Sequence, residues 1–287
     1  MRESRIAVGG RVVEFIDNNV VLDWFYELSP ATTMLSCSAL FVALAWAGAV
    51  FLRPWLSIAL RGQPDLNFSI GYFLSFFNLV DGLLLSLLAV ATYQNHASVE
   101  RIVVREATAL SVLYHNVSSL PDPHRTELQR LLRDHTQEIV HVVWPLQQRG
   151  LAPRSHTAII DEFQRRFLAF EPQTKTQEAI FVATLRQLGE YVEARQQRLF
   201  SVRSNLPMIL WYAVGIGIVV HSIFLCGLDL RLRPYFIFAT LISFFNGTVI
   251  CMILLLNHPF RGPFAVSAAP FVLQQDHMPK AAAAGRH

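Results

Sequence analysis

Residues 68–93 read FSIGYFLSFFNLVDGLLLSLLAVATY, and this stretch decides the fold. It carries a single charged side chain, Asp81. A helix needs about 20 predominantly apolar residues to cross a hydrocarbon core of about 30 Å. The stretch therefore predicts a membrane-spanning helix.

Three further stretches, 34–52, 206–228 and 234–256, are equally apolar and nearly or wholly free of charge. Over its 287 residues the chain is 53% apolar, with a mean hydropathy of +0.36, which is too apolar for an ordinary soluble domain. Membrane-spanning strands would be about half as long and would alternate in polarity. We predict an all-α integral membrane protein with four transmembrane helices and almost no β-structure.

The remaining sequence divides around these helices. We predict an N-terminal cytoplasmic or interfacial segment over 1–30 and spanning helices one and two within 31–93. A helical cytoplasmic domain follows over 94–204, and helices three and four lie within 205–257. A tail packed on the cytoplasmic side covers 258–273, and an Ala-rich disordered tail covers 274–287. Within the first segment, residues 20–30 with Trp24, Phe25 and Tyr26 form either a short interfacial helix or an ordinary lead-in, and no cleaved signal peptide is expected.

The distribution of Arg predicts the orientation. With four spans, both termini and the long middle segment share one side of the membrane. Near the membrane that side carries about twice as many basic residues as the side of the two short connections, which holds Arg53, Arg61, Arg231 and Arg233. By the positive-inside rule, the termini and the middle segment are cytoplasmic.

Helical periodicity runs through the middle segment. The apolar stripe after Tyr93 continues the second spanning helix, and Asp122-Pro123 has the pattern of a helix start. We expect that next helix to end or kink near Trp144-Pro145, because the residue before a proline disfavours helix. A shorter helix from Ile159 and a longer one from Ile180 complete the segment.

The sequence offers no catalytic or metal-binding pattern. His135 and His141 are six residues apart, which does not place both on one helical face to grip a metal. Cys37, Cys226 and Cys251 lie in apolar runs and are read as buried free thiols. The net charge of +3 is too small to indicate nucleic-acid binding. We therefore predict no enzyme, no cofactor, no metal and no nucleic-acid partner.

Polar residues inside the membrane are the sharpest functional signal. An ionised carboxylate at bilayer depth costs at least ~2.5–3.5 kcal/mol, so Asp81 should face water or a partner. Asn78 lies one turn away on the same face, and with Phe77, Leu84 and Leu85 it suggests a pore-lining surface. Alternatively Asp81 is buried, protonated or paired with an Asn or Ser of a neighbouring helix, and only holds the helices together. His221 is either an interhelical hydrogen-bonding group or a titrating switch.

Several motifs resemble the bestrophin-like membrane family. They are Ser98–Ala107 (SVERIVVREA), the LPDP of 120–123, the Trp144-Pro145 helix end, and the tail LNHPFRGPFAVSAAPF of 256–271. The specific part of the tail motif comprises His258, Pro259, Phe260, Arg261, Gly262 and Pro263. Asn257 stands where the family has an acidic residue, and Ala268 where it has a proline.

The resemblance implies a pentameric ion channel in a bacterial inner membrane, in contact with lipid, ions and copies of itself. Its second spanning helix would form a neck of aromatic and aliphatic rings, here Phe76, Phe77 and residues one turn on. A ring of Asp81 carboxylates would favour cations. The alternative function is a non-conducting scaffold or sensor whose cytoplasmic helices bind a partner.

Overall fold

The computed structural model describes residues 5–8, 11–14, 29–59, 66–151, 158–202, 206–228 and 231–278. Its elements in chain order are β1 (Arg5–Val8), β2 (Arg11–Glu14), α1 (Pro30–Ala59), α2 (Leu66–Ser118), α3 (His124–Glu138), a π-helical turn (Ile139–Val143), α4 (Trp144–Gln148), α5 (Ala158–Leu168), α6 (Lys175–Ser201), α7 (Met208–Gly227), α8 (Leu232–Leu256) and α9 (Ala269–His277). The predicted interfacial helix at 20–30 lies almost entirely outside the described residues.

The four predicted spans are confirmed. Helices α1, α2, α7 and α8 are each long and apolar enough to cross a membrane. Most of the surface of their apolar windows is uncovered in the single subunit, as expected of helices that face lipid or other subunits. All three cysteines are free and buried, as predicted.

A short antiparallel ribbon of two four-residue strands is the β-structure among the described residues, which agrees with the expectation of almost none. Strands β1 and β2 pair in register from Arg5 opposite Glu14 to Val8 opposite Arg11. Two glycines separate the strands in the sequence, and both strands contain β-branched residues, which is a hairpin pattern. The sequence carried this signal, and the prediction overlooked it.

The chain divides into two compact units. The described residues within Met1–Ala89, Met208–Leu255 and Gly262–Phe264 form the first, which holds the four spans. Those within Val90–Pro207, Leu256–Arg261 and Ala265–His287 form the second. As predicted, α2 continues past the apolar stretch as one helix to Ser118, so its C-terminal half belongs to the second unit.

The core of the second unit is built from the predicted apolar stripes. Among its buried side chains are Leu110 and Leu113 of α2, Leu132 of α3, Phe163 of α5 and Leu188 of α6, and Tyr191 of α6, which was not part of the predicted stripe, joins them. Thr174 begins α6 by accepting a hydrogen bond from the backbone N–H of Gln177 at 3.2 Å, so this helix starts five residues before the first apolar residue of its stripe.

The helix that begins after Pro123 does not stop at Trp144-Pro145. It widens into the π-helical turn just before the proline and then continues as α4 to Gln148. A widened turn accommodates the proline ring and its missing N–H without ending the helix. The end comes at Gly150, whose φ of 77° and whose N–H bond to the Gln147 carbonyl at 2.8 Å form a glycine C-cap.

Candidate functional site

Helix α2 has one face covered by its own subunit and one uncovered face. Of the predicted pore residues, Leu85 is 5% exposed and lies on the covered face, while Phe77 and Leu84 are half-buried at its edge. Phe76 lies on the opposite side and is 67% exposed. The six residues predicted as one lining therefore occupy different sides of the helix.

Asp81 lies against α7. A Cβ placed on Gly217 would come within 2.6 Å of Oδ1 of Asp81, closer than real Cβ atoms approach any neighbour. The absence of a side chain at Gly217 is what lets the carboxylate reach the α7 backbone. Sequence reasoning identified Asp81, but not this glycine or the helix that receives it.

His221 of α7 joins the same polar group. Its Nδ1 lies 3.0 Å from Oδ1 of Asn78, and the side chain is buried. Its second nitrogen, Nε2, is buried without a hydrogen-bond partner among the described residues. The Asn78–His221 contact links α2 and α7 through polar side chains within one subunit.

Asp81 and His221 line a cavity of about 40 Å³ between the spanning helices. Its polar lining consists of Asp81, His221, Ser222, Ser243 and Asn246. Apolar residues of α1, α2, α7 and α8 complete the wall: Phe41, Leu44, Ala45, Leu85, Val214, Ile218 and Ile250. The volume is enough for at least one water molecule, and the polar groups supply the partners that a buried water requires.

A second buried polar cluster lies in the second unit. Nε and Nη2 of Arg198 in α6 donate to the two carboxylate oxygens of Glu106 in α2, at 2.5 and 3.0 Å. Nη1 donates to Oε1 of Gln147 at 2.6 Å. Burial by itself lowers the pKa of Arg198, but the adjacent Glu106 carboxylate outweighs it and the pKa is raised, so the guanidinium stays charged.

Sequence reasoning missed this cluster, although a signal was present. Glu106 interrupts the apolar stripe of Val103, Leu110 and Leu113, and Arg198 follows the buried Tyr191 on α6. A charged side chain on a buried apolar stripe requires an opposite charge nearby, and Glu106 and Arg198 neutralise each other as an ion pair.

His135 and Tyr191 form a further buried pair beside this cluster. His135 Nε2 lies 2.5 Å from the Tyr191 hydroxyl oxygen. Burial lowers the pKa of His135, with the Arg195 charge acting in the same direction, so the imidazole is neutral at pH 7. Among the described residues, no group of three or more His, Cys, Asp or Glu side chains could hold a metal ion.

The comparisons with known proteins agree on a family. The Bestrophin-like domain matches residues 39–271. The chain belongs to the Bestrophin-like family. Two crystal structures of a bacterial bestrophin homologue from Klebsiella pneumoniae, each carrying one substitution, share its fold. Their TM-scores are 0.63 and 0.62 at 11% and 12% identity, and both alignments cover 85% of this chain and 97% or 98% of the homologue. A search of curated proteins found no match.

The contacts of Asn257 show its role at the start of the bestrophin-like tail. Asn257 is buried, and its Oδ1 accepts a hydrogen bond from the backbone N–H of Leu206 at 2.8 Å. An amide oxygen can accept this bond as a carboxylate would, without placing a charge in a buried position. Asn257 therefore acts as an uncharged, buried acceptor at the start of the tail.

The rest of the tail is fixed by aromatic packing and one turn. Phe260 and Phe271 pack on Trp144, with ring centroids 5.7 and 5.9 Å away. The backbone turns between the Pro259 carbonyl and the Val266 N–H, which are bonded at 2.8 Å, and Gly262 within this turn has a φ of 84°. Pro263 follows Gly262 in the same turn. Pro270 lies in the first turn of α9, which runs through the predicted boundary at 273/274 to His277.

Two titratable residues of the tail motif, His258 and Arg261, are half-buried. Burial lowers the pKa of His258, with the nearby Arg261 charge acting in the same direction. Arg261 lies beside the Gly150 turn, with its Cδ 3.6 Å from where a Cβ on that glycine would stand. His258 is therefore neutral at pH 7, and Arg261 provides the positive charge of the motif.

Proposed function

We propose that this bestrophin-like protein is a homo-oligomeric ion channel whose pore is lined by α2. The resemblance to bestrophins implies a pentameric channel lined by the second spanning helix, and the family match together with the shared fold supports this proposal. The protein resides in the bacterial inner membrane. The Arg distribution supports a cytoplasmic location for both termini and for the second unit.

One observation carries the choice of lining residues. Tyr72, Phe76, Leu79 and Leu83 recur at spacings of four, three and four residues, which places them on one face of α2. They are between 63% and 72% exposed in the single subunit. A pore between subunits can only be lined by residues that a subunit leaves uncovered. We infer that this face forms the apolar constriction, with Phe76 as one of its rings.

The cation preference predicted from a ring of Asp81 requires that carboxylate to face the pore axis. Its position against Gly217, and in the same cavity as His221, supports a role inside the subunit instead. We infer that Asp81, Asn78 and Leu85 stabilise the contact of α2 with α7 and leave charge selectivity to other residues. Phe77, whose ring centroid lies 6.0 Å from that of Phe224 in α7, and Leu84 border this contact.

The Asp81→Asn variant tests this assignment. We expect purified wild-type protein in planar bilayers to conduct ions. We expect Asp81→Asn to conduct with an unchanged reversal potential in a salt gradient, because the replaced carboxylate does not face the permeating ion. A reversal potential displaced toward that of the anion would place Asp81 in the pore. Absence of current from folded wild-type oligomer would contradict the channel itself.

A groove in the second unit favours the alternative function of a non-conducting scaffold or sensor. It has a volume of about 820 Å³ and lies between α2 and α6, with Val112, Asn116, Lys175, Val182 and Arg186 in its lining. Val182 is 61% exposed there. A scaffold would produce no current in planar bilayers, and Asp81→Asn would change only its stability. The same recordings therefore separate the two functions.

A further inference from the structure

Among the described residues, the cavity between the spanning helices is lined by two titratable side chains, Asp81 and His221. The α1 wall contributes Phe41, Leu44 and Ala45, and the α8 wall contributes Ser243, Asn246 and Ile250. Helix α2 contributes Asp81 with Leu85, and helix α7 contributes His221 with Ser222, Val214 and Ile218. Within the described lining, any charge in this cavity therefore comes from Asp81 and His221.

The Asn78 contact orients the His221 imidazole. When Nδ1–H donates to Oδ1 of Asn78 at 3.0 Å, the other nitrogen of the neutral ring carries a lone pair. That nitrogen, Nε2, is the buried atom without a partner among the described residues. A water that donates to Nε2, or a proton on Nε2 that is in turn donated to a cavity water, satisfies the ring while keeping the Asn78 bond.

The charge balance of the pair favours one bound proton. With no proton, the carboxylate leaves a net charge of −1 between apolar helices, and with two protons the imidazolium leaves +1. With one proton, the pair is neutral overall, whichever residue carries it. Because net charge is costly at bilayer depth, the one-proton state is favoured over a wide pH range.

We propose that Asp81 and His221 form a proton-binding site within each subunit, in which the two residues share one proton with the help of cavity water. Ser222, Ser243 and Asn246 supply the further hydrogen bonds that a water there requires. The site keeps two ionisable residues neutral as a pair inside the membrane. It does not depend on ion conduction, and its test measures stability, so its failure is distinguishable from failure of the channel proposal.

The test is the pH dependence of thermal unfolding of detergent-solubilised protein, followed by tryptophan fluorescence. In His221→Gln, the folded protein holds a proton on Asp81 that the unfolded chain releases above pH ~4, so stability falls as the pH rises. In Asp81→Asn, the unfolded chain protonates His221 below pH ~6.5 while the folded protein resists, so stability falls as the pH drops. Between pH 4.5 and 6.5 the folded wild-type pair and the unfolded chain each bind about one proton, so the wild-type Tm stays nearly level. Over this range we expect opposite shifts in Tm, of roughly 5 °C each, in the two single variants relative to wild type.

The Tm of the double variant Asp81→Asn/His221→Gln should show neither of these pH dependences, because two uncharged amides replace the pair. Glu100→Gln and His115→Gln make the same chemical changes at exposed positions of α2 and should follow the wild type. If a single variant fails to fold, recovery of folded protein in the double variant supports the shared proton. Wild-type pH dependence in both single variants, or a double variant that fails to fold, would overturn the proposal.

Discussion

The Arg198→Gln variant is expected to lose about 3–5 kcal/mol of stability, the usual cost of removing one partner from a buried ion pair. Glu106 is fully buried, so without the guanidinium its carboxylate is left in a low-dielectric core with no opposite charge bonded to it. The guanidinium also lies over aromatic rings, with Cζ 5.6 Å from the Trp144 centroid and 5.8 Å from that of Phe271. Its removal therefore loosens the packing of α9 on α4 as well.

The measurement is thermal unfolding of the full chain in detergent, where Trp144 reports directly on the cluster. The matched control is Arg186→Gln, because Arg186 and Glu190 form an exposed pair at 3.6 Å and such pairs contribute only about 0–1 kcal/mol. Replacing both buried partners, Glu106→Leu with Arg198→Met, should recover most of the loss. Equal Tm values for Arg198→Gln and Arg186→Gln would show that the buried pair contributes nothing.

The Gly247→Leu variant is expected to disrupt the contact of α8 with α1. A Cβ at Gly247 would approach Cβ of Phe41 to 2.9 Å and the backbone Cα of Ser38 to 3.0 Å. The Ser38 backbone cannot shift as the flexible end of a side chain can. A larger side chain at position 247 must therefore force the two helices apart. The separation would also break the bond between the Ser38 and Thr248 hydroxyls, which are 2.8 Å apart.

Overpacking of this kind costs about 1–3 kcal/mol, and a leucine is expected to reach the upper end. Small residues at helix crossings are the usual means by which membrane helices approach closely. Gly82→Leu is the control, since a Cβ there meets nothing within 4 Å. The readout is the fraction of folded, monodisperse protein after extraction, and Gly247→Leu behaving like Gly82→Leu would contradict the close crossing.

The membrane architecture was predictable from sequence because hydropathy is a local property. Each of the four spans is set by about 20 consecutive side chains, and none requires knowledge of its neighbours. The continuation of α2 to Ser118 was predictable for the same reason, since its apolar stripe persists in the helical period.

The contacts of the polar residues were not predictable, because they depend on residues far away in the chain. Glu106 and Arg198 are 92 positions apart, and periodicity does not specify which stripes meet. The surroundings of Asp81 depend on the rotation of α2 and on the missing side chain at Gly217, 136 positions later. Sequence reasoning therefore found the important carboxylate without finding what it faces.

The most direct test of the α2-lined pore is modification of an introduced cysteine at position 79 during bilayer recording. Leu79 is 72% exposed in the single subunit, and Ile216 on α7 is a matched control at 65%. The native thiols are buried and can remain. We expect a water-soluble, positively charged thiosulfonate reagent to remove most of the current of Leu79→Cys and to leave Ile216→Cys unchanged. Conduction by Leu79→Cys that the reagent does not alter, or equal block of both variants, would contradict the account.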